Sequence, residues 1–295
     1  MYPSTSRPRT LSLWATHQRQ LALFLILSAL SSCTGAAPDS RHSDSAVRAD
    51  NRLDAILWQT TSAEYRVLAQ SIYRSAHAHL ERALADTHWS ALPTQKENHQ
   101  QLPPAVIMDI DETVIDTGAF QSQLARDNAR FSSRPWREWQ ERNQPNAVPG
   151  AVEFIAAAQA RGVTVFFVTN RDHPSETTTR RNLAAIGIAL PEEIDTVLCR
   201  GERADWSSDK ESRRQFIARS YRVLMLMGDD LSDFISEYRA SPAERISAAL
   251  KRSEWGTKWF MLPNPMYGSW EAALYDFRTD LSADEASRQK FNKLP

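Results

Sequence analysis

Two aspartates one residue apart, Asp109 and Asp111, end an apolar run in the stretch PAVIMDIDETVIDTGAF at residues 104–120. Ala105, Val106, Ile107, Met108 and Ile110 surround them, a pattern suited to a strand buried on both faces of a parallel sheet. Residues i and i+2 of a strand point to one side. Both aspartates are therefore expected to leave the sheet together at its carboxyl end, where open α/β sheets bind their ligands. Neighbouring carboxylates repel each other and lose hydration, and a divalent cation is the compensating partner that this chemistry favours. A solvated DxDE turn after a strand is the competing reading.

The elements that would position these carboxylates are visible as further apolar runs. Residues 163–168 (VTVFFV) predict a second buried strand, ending in Thr169, Asn170 and Arg171. A short strand is expected around residues 196–199, and a helix over 208–220 carries Lys210 near its start. Residues 221–227 (YRVLMLM) predict a third strong strand running into Asp229, Asp230 and Asp233, and residues 259–262 a last short one. Between them, helical spacing marks residues 51–85, 118–143, a stretch led by Pro149 to residue 160, and 176–185. His77 and His79, two apart on the first of these helices, face different directions and do not suit a shared metal. Strands alternating with helices predict a doubly wound, Rossmann-like α/β fold with right-handed crossovers. Taken singly, Thr169 could end a strand, Asn170 fill a turn, Lys210 be solvated, and Asp230 or Asp233 cap a helix. Polar groups at the ends of successive buried strands make the functional reading.

Composition bounds the alternatives. The 295 residues are 42% hydrophobic and 24% charged, enough for one sizeable core. With 35 basic and 36 acidic residues, the net charge of −1 gives no global field for a nucleic acid polymer. Arg7, Arg9 and Arg19 precede the apolar run at 21–30, which is too short to span a bilayer comfortably but fits a signal-peptide core. The run ends in Leu30-Ser31-Ser32-Cys33, which resembles a bacterial lipobox. Residues 1–32 are expected to be removed and Cys33 lipidated, leaving an anchored chain, and Thr34 after the cysteine favours the outer membrane. Cys199 would then be the only remaining cysteine, with no intramolecular disulfide. Residues 33–50 read as a tether and 51–295 as the functional domain, with a smaller helical, cap-like portion from about 51–86 and 114–149.

Six motifs in order carry a family resemblance: DIDETVID (109–116), VPGAVEF (148–154), FVTNR (167–171), DK (209–210), GDDLSDF (228–234) and LPNPMYGSWE (262–271). Together they resemble the haloacid dehalogenase (HAD) superfamily, and within it the bacterial class C acid phosphatases, over the chain from about residue 50. The resemblance implies Mg²⁺-dependent hydrolysis of phosphomonoesters, nucleoside monophosphates and aryl phosphates among them, through an aspartyl-phosphate. It implies Asp109 as nucleophile, Asp111 as general acid and then base, and Lys210 and Thr169 as partners of the phosphate. Asp109 and Asp229 would bind the metal by side chain and Asp111 by its backbone carbonyl, with Asp230 or Asp233 holding metal waters. Asn170 and Arg171 are further substrate-binding candidates, and Trp136 and Tyr267 would sandwich an aromatic ring. Thr113 would orient the loop through its hydroxyl. A homodimer is left open. A non-catalytic surface lipoprotein capturing a nucleotide or haem on the same fold is the alternative of a different class.

Overall fold

The structure is a computed structural model that describes residues 51–142 and 144–295. The signal segment, Cys33 and the tether at 33–50 lie outside the described residues. The strands in chain order are β1 (Pro104–Met108), β2 (Ile115–Asp116), β3 (Asn146–Ala147), β4 (Thr164–Asp172), β5 (Val197–Arg200), β6 (Arg222–Gly228) and β7 (Trp259–Met261). Five of them form one parallel sheet in the order β5-β4-β1-β6-β7, and β2 pairs with β3 antiparallel. The chain thus moves to one side of β1 first and to the other side afterwards. That reversal leaves a crevice at the carboxyl end of β1, the place where such sheets take ligands.

The helices are α1 (Leu53–Thr61), α2 (Ala63–Ala85), α3 (Gly118–Arg126), α4 (Ser133–Arg142), α5 (Ala151–Gln159), α6 (Glu176–Ala185), α7 (Glu211–Ala218), α8 (Pro242–Leu250), α9 (Ser269–Ala272) and α10 (Ala283–Asn292). The pleat divides the sheet's side chains between two cores. Val106 and Met108 of β1 pack with Ala69, Tyr73 and Leu80 of α2 and Phe154 and Ile155 of α5. Ala105 and Ile107 face the other way, with Trp206, Ile217 of α7, Phe234 and Trp259. Both faces are covered, which is why the strand sequences are apolar without alternation.

Several expected elements are divided or shifted. The helix read over 51–85 breaks at Ser62, whose hydroxyl accepts from the Tyr65 amide (3.1 Å) and caps α2. α2, expected in the smaller helical portion, buries its apolar stripe against the sheet. The helix read over 118–143 breaks between α3 and α4, where Asn128 takes a left-handed conformation (φ 47°) that asparagine tolerates. Pro149 does not start α5; Gly150 caps it at φ 93°. β4 runs on through Thr169, Asn170 and Arg171 to Asp172, with an irregular register against β5 there. Helices α8 and α10 lie in stretches for which no element is predicted. Among the described residues, no helix is long and apolar enough to cross a membrane.

Candidate active site

The loop after β1 is folded tightly enough to bring its acids to the crevice. The Asp109 amide donates to the Met227 carbonyl of β6 (2.9 Å), and the Val114 and Ile115 amides both donate to the Ile110 carbonyl (2.8 Å each). Closing that turn places Glu112 at φ 59°, a region that costs a non-glycine residue on the order of 1–3 kcal/mol. β6 ends beside it in Gly228. A Cβ there would lie 2.2 Å from Asp233 Oδ2, so only glycine lets the Asp233 carboxylate lie against the strand end.

Lys210 precedes α7, and its buried ammonium donates to Asp109 Oδ1 and, at 2.5 Å, to Asp233 Oδ1. The two residues that follow Glu211 and Ser212 hold α7 in place. Arg213, fully buried, donates to the carbonyls of Thr169 (2.5 Å) and Ser207 (2.8 Å) and to Asn170 Oδ1 (2.8 Å). Arg214 donates to the carbonyls of Ser232 (3.1 Å) and Asp233 (2.8 Å). One helix therefore fastens the ends of both β4 and β6 around Lys210.

Asp229 is held by the Thr113 hydroxyl (3.0 Å) and the Asn264 amide (2.9 Å). Carboxylate oxygens of Asp109, Asp229 and Asp233 lie within 4.8 Å of one another, so the group could hold a metal ion. Their electrostatics fit that role. Burial pushes the Asp109 carboxyl up to about 7; Lys210 pulls it down, while Asp233 and Asp111 raise it. Burial, and then the Asp109 charge, push Asp229 well above the usual carboxylate range. One ammonium among three buried or half-buried carboxylates leaves net negative charge in an all-oxygen donor set, which a hard divalent cation neutralises.

Asp230, expected near the metal, is engaged elsewhere. Its oxygens accept from the Ser232 amide (2.9 Å), the Ser269 amide (2.6 Å) and the Ser269 hydroxyl (2.6 Å). Asp233 closes the reciprocal cap by accepting from the Asp230 amide (3.0 Å). Of the two alternatives, Asp233 is the one in the carboxylate cluster.

Arg171 and Asn170, expected to meet substrate, are also committed to protein partners. The buried Arg171 guanidinium grips Asp111 through Nη2 to Oδ1 (2.6 Å) and Nε to Oδ2 (3.0 Å). It also donates to Asn182 Oδ1 (3.0 Å) and stands 5.4 Å from the Trp136 ring centroid. The Asn170 amide donates to the Ser208 carbonyl (3.1 Å). Thr169 is buried, and its Oγ1 accepts from the Arg171 amide (3.1 Å), which leaves the hydroxyl proton for a ligand.

These groups line one cavity of about 470 Å³. Asp109, Asp111, Thr169, Lys210 and Asp229 stand at its polar end, and Phe120, Phe131, Trp136, Tyr267 and Phe277 contribute its aromatic walls. Trp136 is backed by Trp139 in parallel stacking (5.5 Å, 10°) and by Phe120 at 4.9 Å. The Tyr267 hydroxyl donates to Glu112, which is fully buried. Burial and the Asp111 charge push Glu112 up to about 8, while bonds from Tyr267 and Thr117 oppose the rise. The sequence reading missed Glu112, Arg213, Arg214 and Asn264, whose residue types carry no signal of burial.

Comparison with known proteins places this geometry. The family model described as HAD superfamily, subfamily IIIB (acid phosphatase) matches residues 37–270. Two solved structures of the class C acid phosphatase from Bacillus anthracis, one with tungstate bound, are similar at 28% identity and a TM-score of 0.72. Each alignment covers 83% of this chain and 96% of that one. The chain belongs to subfamily IIIB of the HAD superfamily, and it is an acid phosphatase acting on phosphomonoesters.

Proposed function

We propose that the protein is a Mg²⁺-dependent phosphatase of nucleoside monophosphates and aryl phosphates that works through an aspartyl-phosphate on Asp109. The observation that carries this reading is the convergence on Asp109. Lys210 bridges it to Asp233, Asp229 is within reach, and Asp111 stands two residues away against Arg171.

Asp109, Asp229 and Asp233 are the side chains available to the metal, with the Asp111 carbonyl as the contribution that the family resemblance implies. Mg²⁺ bound there supplies charge neutralisation for two anions that would otherwise repel. An Asp109 oxygen attacks phosphorus as the ester P–O bond breaks. Lys210 and the Thr169 hydroxyl contact phosphate oxygens and stabilise the charge they gain. Asp111, protonated once its ion pair with Arg171 opens to substrate, delivers that proton to the departing alkoxide, then accepts one from the water that cleaves the acyl-phosphate bond. The Arg171 pairing holds Asp111 at the cavity wall instead of against the carboxylate cluster. The Bacillus anthracis relative has been solved with tungstate bound, a tetrahedral oxyanion, which supports a protein of this kind taking a phosphate-sized anion.

Trp136 and Tyr267 line the cavity beyond these groups and are the proposed contacts for a base or aryl ring. Stacking is worth about 1–3 kcal/mol per base, or roughly 5- to 150-fold in affinity. Replacing either with alanine is expected to raise KM for a nucleoside monophosphate about tenfold or more, and far less for glycerol phosphate. Steady-state kinetics with both substrates checks this; equal effects would contradict the clamp. The predicted signal segment and lipidated Cys33 support a lipid-anchored phosphatase of the bacterial cell envelope, at the outer membrane, with the small-molecule ester as its other partner. The non-catalytic alternative has no observation in its favour, since a binder needs no nucleophile and acid pair.

A further inference from the structure

Glu112 takes no part in the chemistry proposed above, yet its environment is built with care. It is buried, it adopts a left-handed backbone conformation, and it sits next to Asp111 among other acids. A carboxyl in such a place needs donors, and it has them. The Thr117 amide (2.8 Å) and hydroxyl (2.7 Å) donate to Oε1, and the Gln59 amide reaches the same oxygen at 3.5 Å. The Tyr267 hydroxyl donates to Oε2.

That last bond crosses between two separate segments. Tyr267 belongs to the loop at 262–268, which is fastened to the loop after β6 on either side of Tyr267. Asn264 donates to Asp229, while its own Oδ1 accepts from the amides of Met266 (3.0 Å) and Tyr267 (3.4 Å). Ser269 binds Asp230 through both amide and hydroxyl. Between these two anchors, the bond to Glu112 is the only polar contact of the Tyr267 side chain among the described residues. Gly268, at φ 147°, follows immediately and leaves the backbone there without a Cβ.

We infer that Glu112 is a positioning residue for substrate selection: by holding the Tyr267 hydroxyl it fixes where the Tyr267 ring stands, and so sets the preference for aromatic leaving groups. The inference rests on the proposed role of Tyr267 in the clamp. The DxDE motif would then unite two tasks on one short loop. Asp109 and Asp111 act on the phosphate, and Glu112 holds the wall that receives the leaving group.

The test compares Glu112→Met, Glu112→Gln, Tyr267→Phe and Tyr267→Ala in the purified protein, with a nucleoside 5′-monophosphate and glycerol phosphate as substrates. Glu112→Met removes the acceptor, and Tyr267→Phe removes the donor while keeping the ring. Each is expected to raise the ratio of KM for the nucleotide to KM for glycerol phosphate by about fivefold or more. A variant combining Glu112→Met with Tyr267→Phe is expected to be no worse than either single one, because both break the same bond. Glu112→Gln keeps an amide group that can bond the tyrosine oxygen, and is expected to restore most of the preference. A Glu112→Met variant that lowers kcat on both substrates alike, with the KM ratio unmoved, would overturn the inference and assign Glu112 to loop shape alone. Should that variant fail to fold, an unchanged ratio in Tyr267→Phe overturns it equally. Tyr267→Ala separates the two readings: an unchanged ratio there defeats the clamp itself, whereas a raised ratio with Glu112→Met and Tyr267→Phe both silent defeats only the Glu112 bond.

Discussion

Asp109→Asn is expected to lower kcat by about 10⁴-fold or more on every phosphomonoester while leaving the protein folded. The amide nearly matches the carboxylate in shape, and its oxygen can still accept from Lys210, so the cradle of Lys210, Asp233 and Asp229 persists. The nucleophile is what disappears. Loss of a covalent nucleophile typically costs a hydrolase on the order of 10⁶-fold, and a 10⁴-fold loss corresponds to about 5.5 kcal/mol of barrier. Stability should move the other way. Burial, and repulsion from Asp233 and Asp111, push the Asp109 carboxyl up, so a neutral amide relieves strain that the charge creates. The melting temperature measured without metal is expected to hold or rise. Activity within tenfold of the wild type would remove Asp109 from the role assigned to it.

Lys210→Met should act on both activity and stability. The ammonium lies between Asp109 and Asp233, and its side chain is 4% exposed. Removing one partner of a buried charge cluster costs about 3–5 kcal/mol, because the remaining charges stay buried without compensation. Methionine keeps the chain out to Cε and its apolar contacts, so the loss reports the ammonium. Lys210 is also the main influence lowering the Asp109 carboxyl. Without it that group moves up further, and less of the nucleophile is ionised at a given pH below its pKa. A fall in kcat of about 10³-fold is expected, in line with loss of a preorganised donor to developing charge. Thermal melts and steady-state rates check both parts; a variant within tenfold of wild-type kcat and equally stable would contradict the assignment.

Much of the scaffold was legible because a strand buried on both faces must be apolar throughout. β1, β4 and β6 stand out as such runs, and Asp109, Asp111 and Asp229 follow from where those runs stop. Lys210 was legible only by resemblance, since a lysine near a helix start is ordinarily solvated. What the sequence concealed is how the polar groups are partnered. Arg213 and Arg214 look like a charged helix face, yet both are fully buried and hold the ends of two strands. Arg171 is a substrate-binding candidate by its place in the FVTNR motif, and its partner Asp111 lies 60 residues away in the chain. Asp230 and Asp233 are equivalent in a sequence of acids and share one reciprocal cap; the Ser269 contacts of the first and the Lys210 contact of the second separate them. Helix breaks at Ser62 and Asn128 were lost for a related reason. Both residues lie inside otherwise continuous helical patterns, where a serine that caps and an asparagine that turns left-handed look like any other polar residue.

The central claim is that a divalent cation at Asp109, Asp229 and Asp233 enables phosphomonoester hydrolysis. Its most direct test is phosphate release by the purified protein at mildly acidic pH from p-nitrophenyl phosphate and a nucleoside 5′-monophosphate. Each is run with Mg²⁺, with excess chelator, and with Mg²⁺ restored. The expected result is turnover of both esters, a loss of roughly 10³-fold or more on chelation, and recovery on adding the ion back. Turnover undiminished by the chelator, or none in folded, Mg²⁺-loaded protein, would contradict the account.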